Sequence, residues 1–400
     1  MFTSLRKKIL GKIKPSSDQI KKVHSLASDV IKKIRIKDAR VIIGGSLAKG
    51  TWLRGMHDID IFVTFDYRKY KDKSGKISDI LWKHIKHLHP IRLHGSRDYF
   101  QINKNGMTLE IIPILRLRKA EQAKNITDVS PLHAQWVKKH KLCDEIRLTK
   151  AFAIAQHIYG AENHIRGFSG YVLEILTIYY GSFDKFLYKV SKWKEKTVLD
   201  PEHLLNDPLK ELNISKIQSP LVVVDPVDKT RNGATVVSRE RYALLVKAAK
   251  AFLKHPSEKY FVLKKEKIPN RAITLEVTIR KKNDIIAGKL YAIFMKLKKQ
   301  IALNRFTIKK SGFIFEKKSI FWFALKSITL PQHIEVKGPP LNLHEHVSHF
   351  KKKHKKTITK KGHIYASELR KYTHAKVFLK NFINSHKKEF SRIAINTKVR

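Results

Sequence analysis

Residues 44–63 read GGSLAKGTWLRGMHDIDIFV. After a first strand, they predict a glycine turn, a short helix, a loop and a second strand. We assign the strand that leads into this stretch to residues 39–43. The pair Gly44-Gly45 allows a tight turn in which a helix N-terminus approaches a phosphate without a Cβ in the way. Ser46 follows at a point where its hydroxyl can bond the same group. The stretch therefore predicts a phosphate-binding turn between two strands.

The second strand carries two carboxylates on one face. Asp58 and Asp60 lie two residues apart in an otherwise apolar run, and strand side chains alternate between faces. Two neighbouring oxygen ligands suit a divalent cation that holds a phosphate. An exposed edge strand shows the same alternation, and Gly-Gly-Ser is also a common turn. The prediction of a metal and phosphate site therefore depends on the order and spacing of these motifs taken together.

A predicted hairpin supplies a third carboxylate. Residues 97–102 and 107–114 have the composition of two strands, and the Asn-Gly pair between them is a strong hairpin signal. Glu110 is the only acid in the second of these strands, where an unpaired charge is costly. If this strand pairs with the strand of the two aspartates, three carboxylates meet in an arrangement that holds two metal ions. An exposed position at the sheet edge is the alternative for Glu110.

Composition narrows the class of protein. The 400 residues suffice for two or three domains, and 42% hydrophobic content is typical of a globular chain. Lys and Arg number 83 against 34 Asp and Glu, which gives a formal net charge of +49 and indicates a nucleic-acid partner. A solvated lysine-rich surface is the alternative. The single cysteine, Cys143, excludes an internal disulfide, so we expect a cytoplasmic protein; no window is apolar enough to predict a membrane partner.

The remaining sequence divides by its periodicity. Helical spacing dominates residues 136–255, and short alternating strands rich in lysine follow. In the last part, a strand, helix, strand, strand order predicts a ferredoxin-like or RRM-like unit. We therefore predict a multidomain α+β protein. Its domains are a head with a mixed sheet at residues 1–135, a helical central domain at 136–255 and a basic α+β tail at 256–400.

The tail contains a run of lysines that we predict to contact RNA phosphates. Its members are Lys351, Lys352, Lys353, Lys355 and Lys356. A solvated lysine face is the alternative interpretation. Histidines of the same region lack cysteine or acidic partners at ligand spacing, so we expect them at the surface or facing RNA.

The Gly-Ser turn, the Asp-x-Asp strand and the later acidic strand together resemble the polymerase-β-type nucleotidyltransferase superfamily. More narrowly, the chain resembles the archaeal-type, or class I, CCA-adding enzymes, which build the tRNA 3′ end from CTP and ATP. Segments along nearly the whole chain carry this resemblance: WLRG at 52–55, SPLHAQW at 130–136, RLTK at 147–150, IYGAE at 158–162, IRGFSGY at 165–171, VDPVDKTRN at 224–232 and KGPP at 337–340.

The resemblance implies transfer without a nucleic-acid template, in which the RNA 3′-hydroxyl attacks the α-phosphate of CTP or ATP. It implies two Mg²⁺ ions held by Asp58, Asp60 and Glu110, with tRNA as the partner. It also implies the residues that bind the nucleotide, which are Gly45, Ser46, Lys49, His133, Lys150, Tyr159 and Arg231. A poly(A) polymerase, an oligoadenylate synthetase and a non-catalytic basic RNA-binding protein are the alternatives. A homodimer is left open.

Two of these residues are ambiguous from the sequence. Helical spacing from residue 144 predicts a helix that continues to residue 158 and is ended by Gly160. On one straight helix at about 100° per residue, Lys150 and Tyr159 would lie on opposite faces. Either Tyr159 acts from a frayed last turn, or the two residues do not share a ligand. Arg231 either presents fork donors to a base edge or the RNA backbone, or pairs with Asp228 in a turn.

Overall fold

The computed structural model describes residues 3–264 and 267–400. The chain forms two compact units, Met1–Lys264 and Lys265–Arg400. The predicted boundary at residue 135 falls inside the helix Ser130–Lys139, so the predicted head and central helices share the first unit. The three-domain division stays a prediction. No helix in the described ranges is both long and apolar enough to cross a membrane.

The head combines a mixed sheet with helices. Its helices are α1 (Thr3–Ile13), α2 (Ser17–Ile31), α3 (Gly45–Lys49), α4 (Tyr67–Tyr70) and α5 (Ile77–Ile85). Its strands are β1 (Ala39–Ile43), β2 (Asp58–Asp66), β3 (Ile91–Leu93), β4 (Tyr99–Lys104) and β5 (Met107–Arg116). The strand order is β1-β2-β5-β4-β3, with β2 and β5 parallel and the other neighbours antiparallel.

The alternation along β2 separates the core from the site. Ile59 and Ile61 are fully buried, and Ile111 on the neighbouring strand β5 is buried with them. Asp58 and Asp60, which alternate with these isoleucines, therefore project from the opposite face, as predicted. The predicted Asn-Gly hairpin joins β4 to β5, and it places β5 beside β2 at the centre of the sheet.

The rest of the first unit is mainly helical. Its helices are α6 (Ser130–Lys139), α7 (Cys143–Ala155), α8 (Gly170–Tyr180), α9 (Phe183–Val190), α10 (Pro208–Glu211) and α11 (Arg239–Lys254). A small sheet of β6 (Thr197–Leu199), β7 (Leu221–Asp225) and β8 (Asp228–Asn232) accompanies them. Ser169 caps α8 by accepting from the Val172 N–H, and Gly181 ends that helix in the left-handed region.

The second unit contains two antiparallel sheets. Its strands are β9 (Ile273–Ile279), β10 (Ile308–Ile314), β11 (Lys318–Leu325), β12 (His333–Pro340), β13 (Thr357–Lys360), β14 (His363–Leu369) and β15 (Ala394–Val399). Its helices are α12 (Asp284–Leu303), α13 (His344–Lys353), α14 (Ala375–Ser385) and α15 (Lys387–Ser391).

The order of the larger sheet, β10-β11-β9-β15, is that of a ferredoxin-like fold with α12 and α14 as its crossover helices. Alternate β9 residues such as Leu275 and Val277 join the buried core beneath those helices. The ferredoxin-like prediction is thus confirmed. The segment from β12 to β14, with its own three-stranded sheet, is inserted before the second crossover helix and was absent from the prediction.

Candidate active site

The glycine turn brings the backbone of α3 against a carboxylate. Gly45 has a φ of +56°, in the left-handed region that favours glycine, and a Cβ at this position would overlap Asp60 Oδ2. The Gly44 N–H donates to the Asp60 carbonyl oxygen at 2.8 Å. Ser46 occupies the first turn of α3 and is half-buried. Glycine at residue 45 is therefore required for the close approach of α3 to Asp60.

The three predicted carboxylates lie along the paired strands β2 and β5. Asp60 is level with Glu110 across this parallel pair, and Asp58 is exposed at the start of β2. Glu110 accepts from Gln101 Nε2 at 3.4 Å. Among the residues that the structure describes, no group of three or more His, Cys, Asp or Glu side chains forms a ready metal site. The strand pairing is confirmed, whereas a preformed three-carboxylate ligand set is not present and the metal assignment stays a prediction.

The electrostatics of these carboxylates nevertheless fit a divalent cation. Burial raises the pKa of Asp60; Lys49 opposes that rise, and the neighbouring Asp58 adds to it. A bound cation stabilises the ionised form of carboxylates that are desolvated and lie close to another negative charge. All three side chains offer the hard oxygen atoms that Mg²⁺ prefers.

Two predicted nucleotide ligands meet on a carboxylate that the sequence analysis had not singled out. Lys49 Nζ donates to Glu174 Oε2 at 2.8 Å, and Lys150 Nζ donates to Glu174 Oε1 at 2.6 Å. The Thr51 hydroxyl donates to the same Oε1 at 2.8 Å and accepts from Lys150 at 2.9 Å. Lys150 is buried, so it is not a solvated helix lysine.

Glu174 and Lys150 each affect the pKa of the other. Burial on its own would raise the pKa of Glu174, but Lys150 and Lys49 outweigh it and lower the pKa to about 2. Burial lowers the pKa of Lys150, and Glu174 opposes that change. Glu174 is therefore ionised at neutral pH, and its charge favours the protonated lysines.

Tyr159 reaches this cluster from outside the helix of Lys150. Helix α7 ends at Ala155, earlier than predicted, and Tyr159 forms an isolated parallel bridge with Phe168. A Cβ at Gly170 would lie 2.9 Å from Tyr159 Oη and 3.7 Å from Lys150 Nζ. Both side chains therefore approach the same point at the start of α8, although Tyr159 is not part of a frayed last turn. Burial raises the pKa of Tyr159 to about 12, so its hydroxyl stays protonated.

A second polar cluster surrounds Asp225, which is fully buried at the end of β7. His133 Nε2 lies 3.0 Å from Asp225 Oδ2, and the Tyr171 hydroxyl donates to Oδ1 at 3.1 Å. The His133 and Tyr171 rings stack with their centroids 3.9 Å apart. Burial lowers the pKa of His133 despite the neighbouring carboxylate, so the imidazole is neutral at pH 7. Lys49 Nζ lies 5.2 Å from the Tyr171 ring centroid and links the two clusters.

Arg231 belongs to this second cluster. Its guanidinium donates to Asp225 Oδ2 at 2.7 Å, so the alternative in which Arg231 pairs with Asp228 is wrong. Asp228 instead accepts from the N–H and the hydroxyl of Thr230, as an aspartate does in an Asx turn. Asp228, the carboxylate nearest to Arg231 in sequence, therefore stabilises its own turn and does not pair with the guanidinium.

The structure thus brings together Lys49, His133, Lys150, Tyr159 and Arg231 through two buried acids that sequence reasoning missed. A signal for each was present. Glu174 is the only charged residue in α8, and Asp225 ends a strand that is otherwise apolar. The predicted RNA-binding lysines belong to the second unit. All five are exposed, and Lys351, Lys352 and Lys353 end α13.

Family models match most of the chain. A nucleotidyltransferase domain matches residues 25–129, the second domain of tRNA nucleotidyltransferase matches 144–262, and the C-terminal domain of the CCA-adding enzyme matches 272–394. Among solved structures, the Cid1 poly(U) polymerase has a TM-score of 0.52 at 15% identity and covers 66% of this chain and 99% of its own. At that identity the likeness shows the fold alone.

The nucleotidyltransferase domain matched at residues 25–129 contains the glycine turn and the paired carboxylates, and it defines the class of this protein as a nucleotidyltransferase. The CCA-adding enzyme of Nanoarchaeum equitans is 38% identical over 340 residues, which are 81% of this chain and 82% of the relative. That of Sulfolobus acidocaldarius is 31% identical over 411 residues, 97% and 93% of the two chains. The chain belongs to the CCA-adding enzyme family.

Proposed function

We propose that this protein adds C, C and A to the 3′ end of tRNA, taking them from CTP and ATP without a nucleic-acid template. The observation that carries the proposal is the position of α3, a helix of five residues. Its first residue, Gly45, lies against the Asp60 carboxylate, and its last, Lys49, donates to the Glu174 carboxylate that also accepts from Lys150. One short helix therefore joins the carboxylates to the cationic side chains, as nucleotidyl transfer requires.

In the proposed reaction, the RNA 3′-oxygen forms a bond to the α-phosphorus of the nucleotide as the bond to pyrophosphate breaks. The hydroxyl proton leaves to solvent. Lys49 and Lys150 neutralise the triphosphate, while Tyr159 and Ser46 offer hydroxyl donors to it. Two Mg²⁺ ions would be held by Asp58, Asp60 and Glu110, and when bound they would favour loss of that proton and stabilise the leaving pyrophosphate.

The Asp225 cluster is placed in this proposal at the nucleotide base. A neutral His133 stacked on Tyr171, with Arg231 held by Asp225, presents fixed donors of the kind that read a base edge or hold the RNA backbone. The exposed lysines at 351–353, 355 and 356 would contact the tRNA backbone. A cytoplasmic location, supported by the single free Cys143, remains our prediction, and a homodimer is left open.

Nucleotide selection tests the proposal against its nearest rivals. The enzyme is incubated with a tRNA that lacks its 3′-terminal CCA and with each nucleoside triphosphate separately. We expect CTP alone to extend this tRNA by two residues and ATP alone to extend it very little. A long homopolymer made from ATP would indicate a poly(A) polymerase or an oligoadenylate synthetase instead.

The carboxylate assignment has its own test. Asp60→Ala removes a carboxylate without disturbing the lysines of the second unit, so we expect unchanged tRNA affinity in a filter-binding assay and no nucleotide addition. Normal addition by Asp60→Ala would contradict the assignment of Asp60 to the metal site.

A further inference from the structure

One acid interrupts the apolar helix α8. Glu174 is fully buried, and the other residues of α8 are uncharged. A buried charge is costly unless oppositely charged partners and hydrogen bonds surround it. The reason for a carboxylate at this position therefore lies in its partners.

Those partners come from two different helices. Lys49 is the last residue of α3, and Lys150 lies in the middle of α7. Each ammonium group takes a different oxygen of the Glu174 carboxylate, so a single side chain holds both. The Thr51 hydroxyl donates to Glu174 Oε1, the oxygen that also accepts from Lys150, and it accepts a second hydrogen bond from Lys150. The relative position of the two lysines is thus fixed at one point on α8.

Charge explains why an acid is needed there. Two neighbouring ammonium groups repel each other, and a buried lysine tends to lose its proton. One carboxylate holds both ammonium groups but balances only one of their two charges. The cluster keeps a surplus positive charge, which a polyanion can neutralise.

We infer that Glu174 is a positioning residue that holds Lys49 and Lys150 in the place where they bind the triphosphate of the incoming nucleotide. The identity of this ligand rests on the proposed function. Glu174 itself, as an anion, does not bind the triphosphate and acts through the two lysines.

The test uses inorganic tripolyphosphate, which has the phosphate chain of the substrate but neither base nor ribose. Its affinity for the full chain is measured by calorimetric titration in buffer free of divalent cations. We expect Glu174→Gln to weaken binding about tenfold or more. The neutral amide cannot make charge-assisted hydrogen bonds to both lysines, so the two ammonium groups are no longer held in position. Glu174→Asp keeps the charge but is shorter by one methylene, so it should fold even if Glu174→Gln does not, and it should weaken binding less.

Two further variants separate positioning from a merely structural role. Thr177→Val alters the same buried helix, where the Thr177 hydroxyl lies 2.7 Å from Leu173 O and 2.9 Å from the Thr149 hydroxyl, without touching the lysines. It should leave tripolyphosphate affinity within about twofold of wild type. In a Lys49→Met background, Glu174→Gln should cost less affinity than in the wild type, because one of the two lysines through which it acts is gone.

Several results would overturn the inference. These are wild-type affinity in both Glu174 variants, an undiminished effect in the Lys49→Met background, a loss in Thr177→Val as large as that in Glu174→Gln, or no binding of tripolyphosphate to the wild type. Failure of the wild type to add CCA would contradict the proposed function separately, because the binding assay contains neither tRNA nor nucleotide.

Discussion

Gly45 sets how closely α3 approaches the Asp60 carboxylate. We expect Gly45→Ala to reduce nucleotide addition by about 100-fold, because its Cβ displaces either α3 or the carboxylate and small displacements at a reacting centre are expensive. Gly55→Ala is a matched control, since Gly55 also has a positive φ, +83°, but a Cβ there has open space around it. Steady-state rates with trimmed tRNA measure both variants. Equal losses would show that backbone strain alone accounts for the effect.

The Glu174 cluster makes stability depend on pH. The pKa of Glu174 is lowered in the folded protein from 4.5 to about 2, so the stabilisation is present above pH 4.5 and is lost as the pH falls through about 2. We expect the difference in thermal midpoint between the wild type and Glu174→Gln to shrink as the pH is lowered from 5 toward 2. A difference that stays constant over this range would contradict an ionised, lysine-paired Glu174.

Single residues also show where sequence reasoning stopped. The spacing of Asp58 and Asp60 fixed their common face, because strand geometry is local. The partners of Lys49 and Lys150 depend on how three helices pack, and nothing local to either lysine indicates Glu174. Arg231 had a neighbouring acid in sequence, yet it pairs with Asp225 across the β7–β8 turn.

Elements with strong local signals were predicted well. Strand Ala39–Ile43 has the predicted bounds, and the two strands of the Asn-Gly hairpin begin and end within about two residues of theirs, since composition and turn residues agree there. Helix α7 ends earlier than the apolar pattern indicates, because His157 has a φ of +56°, outside the helical region, and Tyr159 then pairs with Phe168. Strands β12 to β14 were missed, although Ile334 and Val336 alternate with polar residues in β12; their pairing with one another defines this small sheet.

Ser169, the N-cap of α8, contributes to the stability of that helix. Ser169 Oγ accepts from the Val172 N–H at 3.1 Å, and its loss leaves a helix donor unpaired. We expect Ser169→Ala to lower the free energy of unfolding by about 1 kcal/mol, and Ser169→Gly to lower it by only a few tenths. Urea denaturation measures both variants. Equal stability of Ser169→Ala and the wild type would show that the cap contributes nothing.

Over the whole molecule, the net charge of +49 indicates that phosphate contacts dominate RNA affinity. We expect the triple variant Lys351→Gln, Lys352→Gln, Lys353→Gln to weaken tRNA binding and to reduce the salt slope of log K by up to about three. Lys71, Lys73 and Lys76 are exposed in the head and supply a control of equal charge, which should change the slope by less than about one. Equal effects of the two triple variants would contradict a specific contact at the tail lysines.

The most direct test of the whole account is the 3′-end sequence of the product. A tRNA that ends before its CCA is incubated with the enzyme, magnesium, CTP and ATP together, and the extended RNA is sequenced. We expect C, C and A to be added in that order, with no further residue, and tRNAs that already end in C or CC to receive only the missing residues. Continued addition after A, or addition in another order, would contradict the proposed function.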